Sequence, residues 1–197
     1  MKKPVILKNI SKAYKNQPVI SDFSLTLSPG SVTALTSPSG SGKTTLLYLL
    51  MGLTAPDSGT IENLTLYKKS AVFQEDRLCD NLTALANIQL TAHHASPADI
   101  ITAMEKFGLF HCEKKPVNEL SGGMKRRIAI LRALFADYDL LLLDEPFKGL
   151  DSEIKEIVMA ETHRMSLGKT VIFTTHDRRE LEKLGTTLEI ASFTPVP

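Results

Sequence analysis

"TALTSPSGSGKTTLLYLLMG" (Thr33–Gly52) decides the fold of this chain. It opens as the end of a short apolar strand, "SVTALT", that runs straight into a glycine-rich loop. From Gly42 to Met51 the residues suit a helix that is apolar on most sides and therefore buried, with Gly52 at its C′ position. In the pattern GxxxxGK[ST], successive backbone N–H groups curl around phosphate oxygens, and glycine lets the backbone approach closely. The following helix turns its positive N-terminus to the same anion. The lysine reaches the β/γ-phosphates, and the next hydroxyl binds magnesium. Gly40, Gly42, Lys43 and Thr44 keep this spacing, and only Ser37 departs, standing where glycine is usual. Read alone, the stretch could also be a glycine–serine turn that happens to hold a lysine, so the rest of the chain decides.

Two other stretches supply the answer. "DLLLLDEP" (139–146) reads as a buried strand ending in acidic residues, at the carboxyl edge where open α/β sheets bind ligands. There Asp144 can hold Mg²⁺ through its water shell, and Glu145 can orient or deprotonate an attacking water. Either carboxylate alone would pass for a solvated strand end; with Lys43 and Thr44 present, the functional reading is preferred. In "ELSGGMKRRIAILRALF" (119–135), Ser121 and two glycines precede a helix whose Ile128, Leu131, Leu134 and Phe135 fall at 3-and-4 spacing. Its bare amides make a second anion site, although SGG alone is more often an ordinary capped helix.

Composition narrows the class. With 197 residues, 43% hydrophobic and 23% charged, the chain is expected to be a soluble globular protein of one or two domains. A net charge of +1 gives no electrostatic argument for nucleic acid, and none is expected as a partner. The two cysteines, Cys79 and Cys112, match no zinc or redox spacing and fit a reducing cytosol. The apolar run after "MKKP" is too short for a signal peptide, and no stretch approaches the roughly 18 apolar residues of a membrane span.

Along the chain, "VILKNISKAY" and "PVISDFSLTLSPG" read as strands, with weaker strand candidates at Thr60–Tyr67 and Ser70–Phe73. Residues 76 to 135 are mostly helical in pattern. "TVIFTTH" is a further buried strand, and Asp-led caps open helices at "DSEIKEIVMAETHRMSLG" and "DRRELEKLG". Strands alternating with helices imply a parallel α/β sheet interrupted by a helical insertion. The expected division is one domain over 1–197, with a core lobe of 1–75 and 136–197 and a helical lobe of 76–135. His93-His94 and His111-Cys112-Glu113 are set aside as metal ligands, and His163 is expected to face solvent.

Taken together, these motifs resemble the ATP-binding subunit of an ABC transporter over nearly the whole chain. Tyr14 resembles the aromatic residue that stacks on adenine. "SPSGSGKTT" (Ser37, Pro38, Ser39, Gly40, Ser41, Gly42, Lys43, Thr44, Thr45) resembles Walker A, and "LLLLDEP" Walker B. Gln74 in "AVFQED" resembles the Q-loop glutamine and "LSGGM" (Ser121, Gly122, Gly123) the LSGGQ signature. Gly149-Leu150-Asp151 resembles the D-loop, and His176 in "TTHD" the switch histidine. The resemblance implies a P-loop NTPase fold with a mostly parallel core sheet, an antiparallel β part at the N-terminus and an inserted helical subdomain. ATP and Mg²⁺ are the implied cofactors, with Glu145 and His176 catalytic and Thr44, Gln74 and Asp144 holding the metal. It further implies a head-to-tail homodimer in the ATP state, the signature of one subunit meeting the nucleotide of the other. Integral membrane permease subunits and a periplasmic or extracellular solute-binding protein would complete the complex, with this chain on the cytoplasmic face of the cell membrane.

Ser37 and Met124 depart from the family pattern, at the first Walker A glycine and the signature glutamine. Neither touches Lys43, Thr44, Asp144, Glu145 or His176, so activity is expected to survive. "EDRLCDNLTALANI", after Gln74, resembles importers of nitrate, sulfonate and taurine type, and with the residues stopping soon after "TTLEIAS" the protein is expected to lack the C-terminal regulatory domain of some importer ATPases. The alternatives are a soluble ATP-switched factor outside any transporter and a nucleotide-binding module with little hydrolysis.

Overall fold

The structure, a computed structural model, describes residues 2–36, 40–183 and 188–192. Strands β1 (Val5–Tyr14) and β2 (Gln17–Leu27) form a hairpin around Lys15 and Asn16. Both turn residues have positive φ (50° and 64°), the two-residue geometry whose twist matches that of the flanking strands. β3 (Val32–Thr36) and α1 (Lys43–Met51) follow, and β4 (Ser58–Glu62) then pairs with the other edge of β1. The result is a three-stranded antiparallel sheet of order β2-β1-β4.

The second sheet is parallel. It contains β3, β5 (Lys69–Val72), β6 (Leu140–Asp144), β7 (Thr170–Thr174) and β8 (Leu188–Ser192) in the order β5-β6-β7-β3-β8. Between β5 and β6 lie α2 (Ala84–Gln89), α3 (Pro97–Lys106) and α4 (Gly122–Leu134); α5 (Ser152–Met165) and α6 (Arg178–Lys183) flank β7.

Strand alternation builds three layers. Leu140 and Leu142 of β6, with Ile172 of β7 and Leu35 of β3, pack on α1 and the antiparallel sheet. Leu141, Leu143, Val171 and Phe173 point the opposite way, into a core shared with α2, α3, α4 and α5. A central sheet covered on both faces must be apolar on both, which is why β6 and β7 read as unbroken apolar runs. Because the strands are parallel, the carboxyl ends of β3, β5, β6 and β7 open on one side.

Two local expectations change. The Thr60–Tyr67 strand stops at Glu62, where Asn63 takes a left-handed φ of 61°, donates from Nδ2 to Pro4 O and starts a 3₁₀ turn over Leu64–Leu66. His163 is half-buried rather than solvent-facing. Among the described residues no helix is long and apolar enough to cross a membrane.

Candidate functional site

Four strand ends deliver the site. β3 leads into the glycine-rich loop, β5 into Phe73-Gln74, β6 into Asp144-Glu145, and β7 into Thr174, Thr175 and His176. Ser37, Pro38 and Ser39 lie outside the described residues. After them Gly40 and Gly42 take φ of 80° and 99°, values that L side chains rarely adopt, and Gly42 caps α1 without a capping side chain. α1 thus begins at Lys43 with its amides directed into a cavity of about 370 Å³. Gly40, Ser41, Gly42, Lys43, Thr44, Thr45, Gln74, Asp144 and Glu145 line it.

Asp144 organises the floor. It is 1% exposed, and its two oxygens accept from different strands' neighbours, Oδ2 from Thr44 Oγ1 at 2.7 Å and Oδ1 from Thr174 Oγ1 at 2.8 Å. The Thr174 hydroxyl also accepts from the Glu145 amide at 2.8 Å, so one side chain fixes both carboxylate residues. Glu145 follows with φ of 45°, an uncommon value outside glycine, and this kink turns its side chain away from the strand. Its Oε1 lies 3.2 Å from His176 Nε2, and its Oε2 accepts from Lys148 Nζ at 2.6 Å.

The charges are coupled. Burial pushes the Lys43 ammonium below its ordinary pKa and outweighs the nearby Glu145 and Asp144 charges, which act to raise it. Burial works to raise the Glu145 carboxyl, but the Lys148 hydrogen bond and the charges of Lys148, His176 and Lys43 outweigh it and hold the group below its usual range. His176 is placed by its neighbours: Lys155 of α5 bridges Asp177 (2.7 Å) and Glu180 (2.5 Å), and Thr175 Oγ1 donates to Glu180 Oε2.

The donor set suits Mg²⁺. Thr44 and Asp144 are oxygen donors in contact at the lip of the phosphate-loop cavity, and Gln74 lines the same cavity, a hard set that fits a small divalent cation. Among the described residues no group of three or more His, Cys, Asp or Glu comes together as a metal site.

Other expected residues stand elsewhere. Gly122 and Gly123 line a separate cavity of about 470 Å³, which shares Gln74, Glu145 and Lys148 with the first. Ser121 caps α4 by accepting from the Met124 amide at 3.3 Å, and a Cβ on Gly122 would meet nothing within 4 Å. Asp151 caps α5, accepting from the Ile154 amide at 3.0 Å, and lines neither cavity. Tyr14 ends β1 and is 44% exposed; Val19 of β2, not Tyr14, lines the phosphate-loop cavity.

Three residues of the site are marked by no motif, and Arg126, whose triplet Lys125-Arg126-Arg127 reads in the sequence as a solvated helix face, is buried instead. Thr174 faces Asp144 directly in the β6–β7 register. Lys148 stands two residues after Pro146. Arg126 of α4 is buried and donates to the carbonyls of Phe73, Asp144, Glu145 and Pro146 and to Asp76 Oδ1. Of these only Lys148 had a sequence signal, a cation inside an acidic turn.

Comparison with known proteins follows the geometry. A family model described as "ABC transporter" matches residues 20–148. A sulfate/thiosulfate import ATP-binding protein of Rhizobium meliloti is 34% identical over 95% of this chain and 57% of its own length. A Nod factor export ATP-binding protein of Burkholderia lata is 33% identical over 92% of this chain and 65% of its own length. A spermidine/putrescine import ATP-binding protein of Mycoplasma mycoides is 34% identical over 88% and 54%. The chain therefore spans between about half and two thirds of the length of these relatives.

Proposed function

Since this chain belongs to the ABC transporter family, we propose that it is an ATP-binding and ATP-hydrolysing subunit that powers solute movement through a membrane-embedded permease. The observation that carries this reading is the convergence of Lys43, Thr44, Asp144, Glu145 and His176 at neighbouring strand ends, one cavity joining the first four.

In this reading Tyr14 stacks on the adenine, the amides from Gly40 to Thr45 cradle the phosphates with Ser37, Pro38 and Ser39 belonging to the same nucleotide-binding loop, and Lys43 meets the β/γ end. Thr44, Asp144 and Gln74 would hold Mg²⁺, which supplies charge neutralisation to the β- and γ-oxygens. Glu145 accepts a hydrogen bond from the attacking water and orients it, and His176 holds Glu145 from its other oxygen while facing the γ-phosphate. The loose transition state of phosphoryl transfer asks mainly for such positioning and charge. Residues 1–75 and 136–197 act as the catalytic lobe, and 76–135 carries the signature and meets the permease.

Ser121, Gly122 and Gly123 serve the nucleotide of a second copy, with Asp151 near that junction; their separate cavity supports a head-to-tail pair. Import is the direction we favour, because the segment after Gln74 resembles importers of nitrate, sulfonate and taurine type. The exporter among these relatives, at 33% identity, keeps export as the second reading. A solute-binding protein encoded beside a permease and this chain decides for import.

The test is ATP hydrolysis with parallel nucleotide titration. Lys43→Ala is expected to lose tight ATP binding. Glu145→Gln is expected to keep binding and lose about 10²–10³ in turnover, the range for removing a positioned general base. Full turnover by Glu145→Gln would remove Glu145 from this role.

A further inference from the structure

Lys148 is a cation of the site that the reading above leaves without a task. The backbone turn that closes from the Lys148 amide to the Glu145 carbonyl (3.2 Å) sets the two side chains on one side, and Nζ reaches Oε2 at 2.6 Å. The pair is asymmetric: the Lys148 side chain is 75% exposed, that of Glu145 only 12%. The lysine is therefore the partner that can move, a point charge on a flexible four-carbon stem. It also lines the phosphate-loop cavity beside Lys43 and Thr44 as well as the cavity of Gly122 and Gly123. An ion pair with one exposed partner contributes little to stability, so a stronger anion can take the ammonium. A triphosphate bound at Lys43 is that anion, since it carries several charges against the single charge of Glu145.

We propose that Lys148 is a second phosphate-binding cation of this site, which leaves Glu145 Oε2 for the β/γ end of a nucleoside triphosphate. The exchange frees Oε2 to accept from water at the moment the substrate arrives, so substrate binding and release of the water-orienting carboxylate are one event. This inference rests on the phosphate-loop cavity being an ATP site, and the experiment separates the two.

Binding of the non-hydrolysable analogue AMP-PNP with Mg²⁺ is measured on the full chain, unaltered and as Lys148→Ala, Lys148→Arg, Glu145→Gln and Lys148→Ala/Glu145→Gln. Lys148→Ala is expected to weaken binding about 3–10-fold, the scale of one partly exposed charge contact, and Lys148→Arg to keep most of it. Glu145→Gln removes the competitor for the lysine, so it tightens binding in the presence of Lys148 and does so less, or not at all, in the Lys148→Ala background. Equal affinity of Lys148→Ala and the unaltered chain, or an equal Glu145→Gln effect in both backgrounds, overturns the proposal. Failure of the unaltered chain to bind AMP-PNP overturns the ATP reading itself.

Discussion

At the scale of single residues, Asp144 shows how a charge is kept in a nearly dry place. It is 1% exposed, and burying a carboxylate costs free energy unless its oxygens are hydrogen-bonded. Thr44 and Thr174 supply those bonds, and Thr174 also receives the Glu145 amide, so its hydroxyl serves as donor and acceptor at once. Thr174→Val preserves shape but strands one carboxylate oxygen and one amide. Each buried orphan costs about 1–3 kcal/mol, so the variant is expected to lose about 2–6 kcal/mol in denaturant unfolding. Thr174→Ser, which keeps the hydroxyl, should stay within about 1.5 kcal/mol of the unaltered chain. A valine variant as stable as the serine one would show that the hydroxyl is dispensable.

At the scale of elements, Arg126 is the tie between a helix and two strands. Its guanidinium, on a residue 6% exposed, reaches from α4 to the carbonyls that follow β5 and β6 and to Asp76. The planar fork can meet acceptors in several directions at once, which an ammonium cannot reproduce. Arg126→Met leaves buried carbonyls and the Asp76 carboxylate without a partner, with an expected loss of about 3 kcal/mol. Thermal melts should show it as a Tm drop on the order of 6–12 °C. Arg126→Lys should recover less than half of this. Because these carbonyls belong to Asp144, Glu145 and Phe73, the residue before Gln74, both variants should also lower ATP turnover more than they lower ATP affinity. Recovery of full turnover by Arg126→Lys would reduce the residue to a generic charge.

At the scale of the whole molecule, two glycine-led helix starts open into different cavities, at α1 and α4. A bare helix N-terminus attracts an anion, so two of them on one chain ask either for two ligands or for two copies sharing ligands. A head-to-tail pair on a two-fold axis satisfies both ends with two nucleotides. Mixing Ser121→Arg with Lys43→Ala is expected to restore ATPase activity, because the mixed dimer keeps one composite site free of both changes. With random pairing and independent sites, recovery should be on the order of a quarter of the unaltered rate. No recovery above either variant alone would count against shared sites.

Much of this was legible in the residues themselves. Short apolar runs, four leucines in β6 and Val-Ile-Phe in β7, marked those strands, glycine spacing marked the loop before α1, and Asp151 and Ser121 announced their helices, because period, caps and turns are local chemistry. The tertiary structure alone decided the rest. It set Thr44 against Asp144 across 100 residues and Thr174 against Asp144 across 30, brought His176 to Oε1 of Glu145, and threaded Arg126 between strand ends. Those pairings depend on strand order and register, which no neighbouring residue in the chain encodes.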